Sequence, residues 1–237
     1  MLIKEKKYLY QHGTLGGLMQ DLMEGTEKIG ALKSYGDFGL GTLEGANGEV
    51  IFLDGVIYHA AESGTITQLS GEELTPYAAV TDFEADQQFF LGEMTEELVK
   101  ETILEKISHN LFAAVKIKGH FEHIHVRVAP KQEKPYPRFV EIARNQPEFR
   151  AEELSGTIVG FFTPKLFHGA AAAGFHLHFI SDDHTFGGHV LDFELAQGQI
   201  ELMELAEFRQ HFPTANAAYL KREIRLDEIA KDIEEAE

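Results

Sequence analysis

The sequence predicts an α+β protein of two subdomains, each built on a mixed β-sheet with flanking helices. Strand-like stretches of alternating or continuous apolar residues recur along the whole chain, and helical spacing is confined to short segments between them. The segment 130–147 contains four prolines, which favours a chain boundary at this point. We therefore expect one subdomain over residues 1–147 and a second over residues 148–237.

Four segments of the chain are predicted as helices. They are residues 14–23, 95–108, 138–145 and 215–237. In the second, Thr95 is a suitable N-cap, and Glu96 and Glu97 lie where the helix dipole favours negative charge. In the first, Thr14 is the expected cap of an amphipathic helix that packs on a sheet and carries no chemistry.

The composition excludes several classes of protein. The chain has 237 residues, 43% of them hydrophobic, which is enough for a substantial core. Cysteine is absent, so no disulfide framework, thiol nucleophile or thiolate ligand is available. No apolar run approaches the roughly 20 residues of a membrane helix, and the N-terminus lacks the apolar region of a signal peptide. We expect a cytoplasmic protein without a membrane partner.

The charge balance is strongly acidic. The 21 basic and 39 acidic residues give a formal net charge of −18. Nucleic acid requires a basic surface, so a nucleic-acid partner is not expected. An anionic substrate would be repelled at long range and would need a local cation, either a metal ion or a specific arginine.

Three histidines lie in a predicted strand, glycine turn and returning strand. His176 and His178 alternate along the first strand, so their side chains share a face at roughly 6.5–7 Å. Residues 181–188 are polar and end in Gly-Gly, where the chain can reverse, and His189 begins the returning strand. Such a hairpin can bring three imidazoles to one point. Three neutral imidazole nitrogens suit zinc and leave coordination positions open, as in catalytic sites.

Other interpretations of this histidine pattern stay open at this stage. A His-x-His pair also occurs on half-exposed polar strand faces. A cupin-like enzyme would combine His176 and His178 with Asp182 around iron or manganese. A non-catalytic metal-binding domain would hold the ion without turning over a substrate. His184 lies in the middle of the polar turn, and we expect it to be solvated.

A second His-x-His pair lies in the strand predicted around residues 121–128. Counting alternate positions puts Phe121, His123, His125 and Arg127 on one face. The two histidines could offer a metal pair, but no third ligand follows at close spacing. A planar guanidinium beside a cationic site is well suited to bind a carboxylate. Arg127 is therefore a candidate for substrate binding.

Glu49, a candidate carboxylate, is the first residue of another predicted strand. That strand runs into Asp54-Gly55 and a second apolar alternation, which is a strong hairpin signal. Glu49 thus lies at the mouth of a hairpin, where a solvated edge carboxylate is the simplest interpretation.

The histidine hairpin and four other stretches follow the motifs of one known family. The hairpin contains Gly-Phe-His-Leu-His-Phe-Ile-Ser at 174–181 and Gly-Gly-His-Val-Leu-Asp-Phe at 187–193. The other stretches are Tyr35-Gly-Asp-Phe-Gly-Leu-Gly-Thr42, Asp54-Gly55, Gln132-Glu-Lys-Pro-Tyr136 and Gly156-Thr-Ile-Val-Gly-Phe161. Together they resemble the alpha-acetolactate decarboxylases, in the family's order and over nearly the whole chain.

The resemblance implies a metal site whose ligands come from distant parts of the chain. The implied ligands are His176, His178, His189, Glu49 and Glu237. Glu237 ends an Ala-Lys-Asp-Ile-x-x-x-Glu pattern, and Glu234 and Glu235 are the alternatives for this position. Zinc is the implied ion, with another divalent metal as the alternative, and the site is expected near the junction of the two subdomains.

The resemblance also implies the reaction and its participants. Thr42 and Arg127 would bind a small 2-hydroxy-3-keto acid, and Glu49, Arg127 and Glu237 would be catalytic. The implied activity is decarboxylation of 2-acetolactate to acetoin and carbon dioxide, in acetoin and butanediol biosynthesis. No organic cofactor is expected, because a metal and the substrate ketone provide the electron sink. A homodimer is implied.

Overall fold

The computed structural model describes residues 7–225, 229, 232 and 233. Its strands are β1 (Tyr8–His12), β2 (Glu27–Lys28), β3 (Phe38–Leu43), β4 (Asn47–Leu53), β5 (Val56–Ala60), β6 (Ile66–Gln68), β7 (Leu74–Thr75), β8 (Tyr77–Thr81), β9 (Gln87–Leu91), β10 (Met94–Thr95), β11 (Phe112–Arg127), β12 (Glu148–Thr163), β13 (Gly174–Ser181), β14 (Gly187–Leu205) and β15 (Glu207–His211). Its α-helices are α1 (Leu15–Met19), α2 (Glu96–Leu104), α3 (Phe139–Ala143) and α4 (Ala217–Lys221), with 3₁₀ turns at Ile29–Ser34 and Lys165–Phe167. The protein is therefore mostly sheet with few helices.

The first large sheet has seven strands in the order β15-β1-β8-β3-β4-β5-β6. The pair β1–β15 is parallel and the other pairs are antiparallel, so this sheet is mixed, as predicted. The Asp54-Gly55 turn joins β4 to β5 with Leu53 opposite Val56, which agrees with the hairpin signal.

The second large sheet is wholly antiparallel, and the prediction of a mixed sheet is wrong for it. Its order is β10-β14-β11-β12-β13, and β9 also pairs with β14. The start of β14 pairs with β13 as well as with β11, which closes the four long strands into a ring. The long strands run back and forth through connections that reverse the chain, and such connections give antiparallel neighbours.

Each large sheet contains strands from both sides of residue 147. β11 and β12 are paired neighbours, although residue 147 lies between them in sequence. β15 comes from the end of the chain and joins the first sheet, whereas β9 and β10 join the second. The division into 1–147 and 148–237 stays a prediction about folding units and does not coincide with a boundary between the sheets.

Buried apolar side chains join the two sheets. One cluster includes Leu40 and Ile51 from the first sheet with Val159 and Ile180 from the second. A second cluster, under α2, packs Ile103 and its neighbours on the second sheet. The strand β4 is consequently covered by the second sheet and lies against β13, where the histidine pair was predicted.

The helices are shorter than the sequence predicts. Thr14 caps α1 as expected, accepting a hydrogen bond from the Gly17 amide at 3.1 Å. α4 ends at Lys221 and residues 222–225 are not helical, so the predicted continuous helix over 215–237 is wrong in this part. Within the described ranges, no helix has the length and apolar character needed to cross a membrane.

The hairpin turn after β4 gives a test of the backbone geometry. Gly55 has a φ of +76°, and a Cβ at this position would meet nothing within 4 Å. We expect Gly55→Ala to lower the free energy of unfolding by about 1–2 kcal/mol, because an L-residue is disfavoured in the left-handed region. Chemical denaturation measures this change.

Gly92 is the matched control for this substitution. A Cβ at Gly92 also meets nothing within 4 Å, but no left-handed φ is present there. Gly92→Ala should leave stability unchanged or raise it by about 0.4–1 kcal/mol. Equal losses in the two variants would contradict the backbone explanation.

Candidate metal centre

The structure brings three histidines from two neighbouring strands to one point. His176 and His178 lie on β13, and His189 lies opposite His178 at the start of β14. The ring centroids are 5.2 Å apart for His176–His178, 5.0 Å for His176–His189 and 5.5 Å for His178–His189. One nitrogen of each ring lies within 4.8 Å of one nitrogen of each of the others. The three side chains could therefore hold a single metal ion.

A hydrogen bond that His178 donates to the first sheet orients its ring. Its Nδ1 lies 3.0 Å from the carbonyl oxygen of Val50 on β4. A carbonyl only accepts, so Nδ1 carries the proton and Nε2 presents its lone pair. Nε2 is buried without a hydrogen-bond partner in the described part of the chain. In metal-ligating histidines, one ring nitrogen typically donates to a carbonyl and the other binds the ion. His178 has this arrangement, with Nδ1 as the donor and Nε2 facing the site.

His176 and His178 are held in the neutral form that metal binding needs. Burial lowers the pKa of His178 to about 4, against the opposing effect of the Val50 hydrogen bond. Burial also lowers the pKa of His176 well below its ordinary value, and the neighbouring His178 and Arg127 act in the same direction. Three buried imidazoles, with His176 and His178 neutral, are a donor set that fits a zinc-type ion.

Glu49 lies against the triad and is not a solvated edge residue. Its side chain is buried, and its Oε2 lies 3.4 Å from His178 Nε2. Its Oε1 accepts a hydrogen bond of 3.0 Å from the Ala129 amide. Burial raises the pKa of Glu49 to about 7, although the Ala129 hydrogen bond and the charge of Arg127 oppose this rise. A carboxyl group with a pKa near 7 is well suited to exchange a proton at neutral pH.

Arg127 brings a positive charge to the same place. It is the last residue of β11, is paired in register with His189, and is 9% exposed. Its Nη2 lies 3.3 Å from His189 Nε2. Because a guanidinium only donates, the His189 nitrogen presents its lone pair towards it. A buried guanidinium beside a metal-type donor set is a binding site for a carboxylate.

A cavity of about 30 Å³ lies between these groups, roughly two to three times the minimum volume that holds a water molecule. It is lined by Leu15, Leu18, Gly41, Thr42, Glu49, Tyr77, Arg127, Ala129, Phe139, Gln146, His176, His178 and His189. Thr42 faces it from β3, and its hydroxyl donates to the Gly48 carbonyl at 2.8 Å.

The lining includes polar residues that the sequence did not indicate. Tyr77 and Gln146 belong to no motif, and Gln146 follows α3 in the proline-rich segment. The Oε1 atom of Gln146 is buried and has no hydrogen-bond partner among the described residues. Such buried unpaired acceptors are the remaining signal for ligand contact, and they are visible only once the chain is folded.

The second His-x-His pair lies away from the triad. His123 Nε2 is 3.0 Å from Asp192, and His125 Nε2 is 2.9 Å from Glu148. Bulges interrupt the alternation of β11, so Phe121 is fully buried while His123 is only half-buried. The prediction of one shared face is wrong for this reason.

The remaining candidates do not join the described site. Asp182 is exposed in the turn after β13, so the cupin-like ligand set with His176 and His178 is not formed. His184 is exposed, as expected, and packs on Tyr58 with ring centroids 4.6 Å apart. Glu237 and its alternatives Glu234 and Glu235 lie outside the described residues.

Comparison with known proteins identifies the family. A family model described as alpha-acetolactate decarboxylase matches residues 9–226. The chain belongs to this family. The resemblance seen in the sequence motifs is thereby confirmed, and it extends beyond the histidine hairpin to nearly the whole decarboxylase sequence.

Individual relatives support the same assignment. The alpha-acetolactate decarboxylase of Streptococcus thermophilus is 45% identical and covers 97% of this chain and 98% of its own length. The alpha-acetolactate decarboxylase of Lactococcus lactis subsp. cremoris is 42% identical, and the match covers 99% of this chain and 100% of the relative.

Solved structures agree with this assignment in three dimensions. A Staphylococcus aureus protein, described as similar to alpha-acetolactate decarboxylase, superposes with a TM-score of 0.95 at 48% identity and covers 97% of this chain and 100% of its own. The Bacillus subtilis alpha-acetolactate decarboxylase superposes with a TM-score of 0.94 at 34% identity, and the match covers 97% of this chain and 99% of the Bacillus chain. The fold described above is therefore the fold of this family.

The histidine triad yields a direct test of metal binding. We expect alanine at His176, His178 or His189 to remove one equivalent of divalent metal per chain, because each change removes one of three buried donors. Elemental analysis of the purified variants measures this loss. The matched control is His184→Ala, which should leave the metal content unchanged. Full metal content in His189→Ala would exclude that residue as a ligand.

Proposed function

We propose that this chain decarboxylates 2-acetolactate to acetoin and carbon dioxide, in acetoin and butanediol biosynthesis, and that it uses zinc. The observation that carries the proposal is the buried His178, whose Nε2 is left open beside Glu49 and Arg127. The names of the relatives from Streptococcus and Lactococcus support the substrate.

The donor set supports zinc, with another divalent ion as the alternative. His176, His178 and His189 would hold the ion near the junction of the two sheets, since Val50 and Glu49 come from the first sheet. We keep Glu49 and Glu237 as the carboxylate ligands that the family resemblance implies. When bound, the ion supplies Lewis-acid stabilisation of the negative charge that develops on the substrate oxygens. An organic cofactor is not part of the proposal.

Arg127 would bind and orient the substrate carboxylate. In a chain of formal charge −18, an anionic substrate requires such a local cation. The guanidinium is buried at the end of β11, where it can align the bond to the leaving carboxylate. Thr42, on the neighbouring wall, has its hydroxyl proton committed to Gly48, so it offers lone pairs to a substrate donor.

A carboxyl group would deliver the proton that completes acetoin. As carbon dioxide leaves, the bonding electron pair moves towards the ketone oxygen, and the carbon that lost the carboxylate then takes up a proton. Glu49 lies in a buried position beside His178 and can carry that proton, which water then replaces. Glu237 is the alternative donor.

We also propose that the protein is a homodimer and that it is cytoplasmic.

Arg127 gives the first kinetic test. We expect Arg127→Ala to lower kcat/KM for racemic acetolactate by about a hundredfold or more, because the carboxylate loses its alignment. Arg127→Lys should recover only part of this, because a point charge does not reproduce the bidentate fork. Acetoin release measures both. The exposed Arg150 is the control, and Arg150→Ala should leave the rate unchanged. Unchanged kinetics in a metal-loaded Arg127→Ala would assign the carboxylate to another group.

Glu49 gives the test of proton delivery. Glu49→Gln keeps the shape and the acceptor oxygen for Ala129 but cannot carry the proton. We expect folding to be retained and turnover to fall by about two to four orders of magnitude.

A chain ending at Asp232 separates the contribution of the tail. If Glu237 delivers the proton, this chain loses activity and Glu49→Gln is the milder change. If Glu49 delivers the proton, Glu49→Gln loses more activity than the truncated chain. A wild-type protein that holds metal but turns over no β-keto acid would instead favour the metal-binding domain.

A further inference from the structure

A further pair of histidines lies at the carboxyl ends of two adjacent outer strands of the first sheet. His12 ends β1 and His211 ends β15, and the two residues are direct partners in the parallel register. Paired residues on neighbouring strands have side chains on the same face of a sheet. Glu27, on β2, completes the group: one ligand atom from each of the three residues lies within 4.8 Å of the others.

The hydrogen bonds of His12 prepare it to be a ligand. Its Nε2 lies 2.8 Å from the Thr26 hydroxyl oxygen, and its Nδ1 lies 2.9 Å from Nδ1 of His211. In the tautomer whose Nε2–H donates to Thr26, His12 Nδ1 accepts the proton of His211 Nδ1, and a metal ion bound between the two nitrogens would replace that proton. A hydrogen-bond partner on the far ring nitrogen fixes the orientation of the ring, as in metal-ligating histidines.

The spacing matches that of the triad in the same molecule. The ring centroids of His12 and His211 are 5.0 Å apart, the same separation as for His176 and His189. His12 is fully buried, so its ring cannot rotate into solvent. Burial and the neighbouring His211 also keep its imidazole neutral at pH 7, since they lower its pKa to about 4.

A carboxylate and aromatic rings surround the pair. Glu27 is half-buried, and its Oε1 accepts from the Lys28 amide at 3.0 Å, which leaves Oε2 for another partner. Tyr10 stacks near His211 at 6.2 Å and on Tyr35 at 3.7 Å, forming an apolar wall. Two imidazoles and one carboxylate are a ligand set typical of zinc and similar divalent ions.

We propose that His12, Glu27 and His211 form a second divalent-metal site, independent of the histidine triad and of the proposed reaction. The ion would be zinc or a similar ion that prefers nitrogen and oxygen ligands, with a water completing its coordination. Because the ligands come from β1, β2 and β15, the ion would fasten the edge strand β15 to the sheet. Its role is structural, since the site lies apart from the cavity that contains Arg127.

Metal stoichiometry tests the second site directly. We strip the full chain with a chelator, titrate it with Zn²⁺ and determine bound metal by equilibrium dialysis. Wild type should bind two equivalents per chain, His211→Ala and His189→Ala one each, and the double variant none. His109→Ala, a change at a histidine outside both groups, should keep two.

Thermal unfolding provides the second measurement. In the His189→Ala background, Zn²⁺ should raise Tm, because an ion that binds only the folded chain stabilises it. This shift should disappear when His211 is also changed to Ala. If His211→Ala fails to fold, Glu27→Gln replaces it. Glu27 is half-buried, and glutamine removes the carboxylate charge while keeping the shape of the side chain.

The outcomes separate the inference from the proposed reaction. One equivalent in wild type, or two equivalents retained in His211→Ala and in Glu27→Gln, would overturn the second site. Either result leaves the decarboxylase assignment untouched. A wild-type protein that binds two equivalents of Zn²⁺ but does not turn over acetolactate would overturn the proposed reaction and leave the second site standing.

Discussion

The hydrogen bond between His178 Nδ1 and the Val50 carbonyl is the contact on which the candidate centre depends. It crosses from the second sheet to the first at 3.0 Å and fixes which ring nitrogen faces the site. Because Glu49 precedes Val50 on β4, the same strand supplies both the orienting carbonyl and the carboxyl group 3.4 Å from His178 Nε2. Packing of the two sheets therefore determines the chemistry of the site, since neither strand alone could hold this ring in its tautomer.

Burial sets the charge states around this contact. The same loss of solvent lowers the pKa of His176 and His178 and raises that of Glu49 to about 7. The result is a site with two neutral imidazoles and a carboxyl group of raised pKa, with Arg127 as its positive charge. In a strongly acidic chain, this arrangement keeps the cavity attractive to an anion while the outer surface repels it.

Local patterns in the sequence were sufficient to predict the parts of the site that local geometry builds. The hairpin that carries the triad follows from two-residue alternation and a glycine turn, and the Asp54-Gly55 turn follows from its dipeptide. Pairing between distant strands has no such signal. β15 beside β1 and β9 beside β14 depend on packing of the whole chain. His12 and His211, 199 residues apart, meet for that reason.

Irregular backbone limited the prediction in a different way. Simple alternation fails in β11 because bulges shift the faces, so Phe121 is fully buried while His123 is half-buried. Gln146 could not have been predicted, because a lone glutamine after a short helix has no pattern, and its unpaired oxygen becomes visible only in the folded cavity.

Anomalous diffraction from crystals of the zinc-loaded protein tests the central claim most directly. Data collected at the zinc absorption edge locate the ion relative to each ring nitrogen. The account predicts an anomalous peak about 2.0–2.1 Å from His178 Nε2, with Nδ1 still hydrogen-bonded to Val50. A peak bonded to His178 Nδ1, or zinc-containing crystals without a peak at the triad, would contradict it.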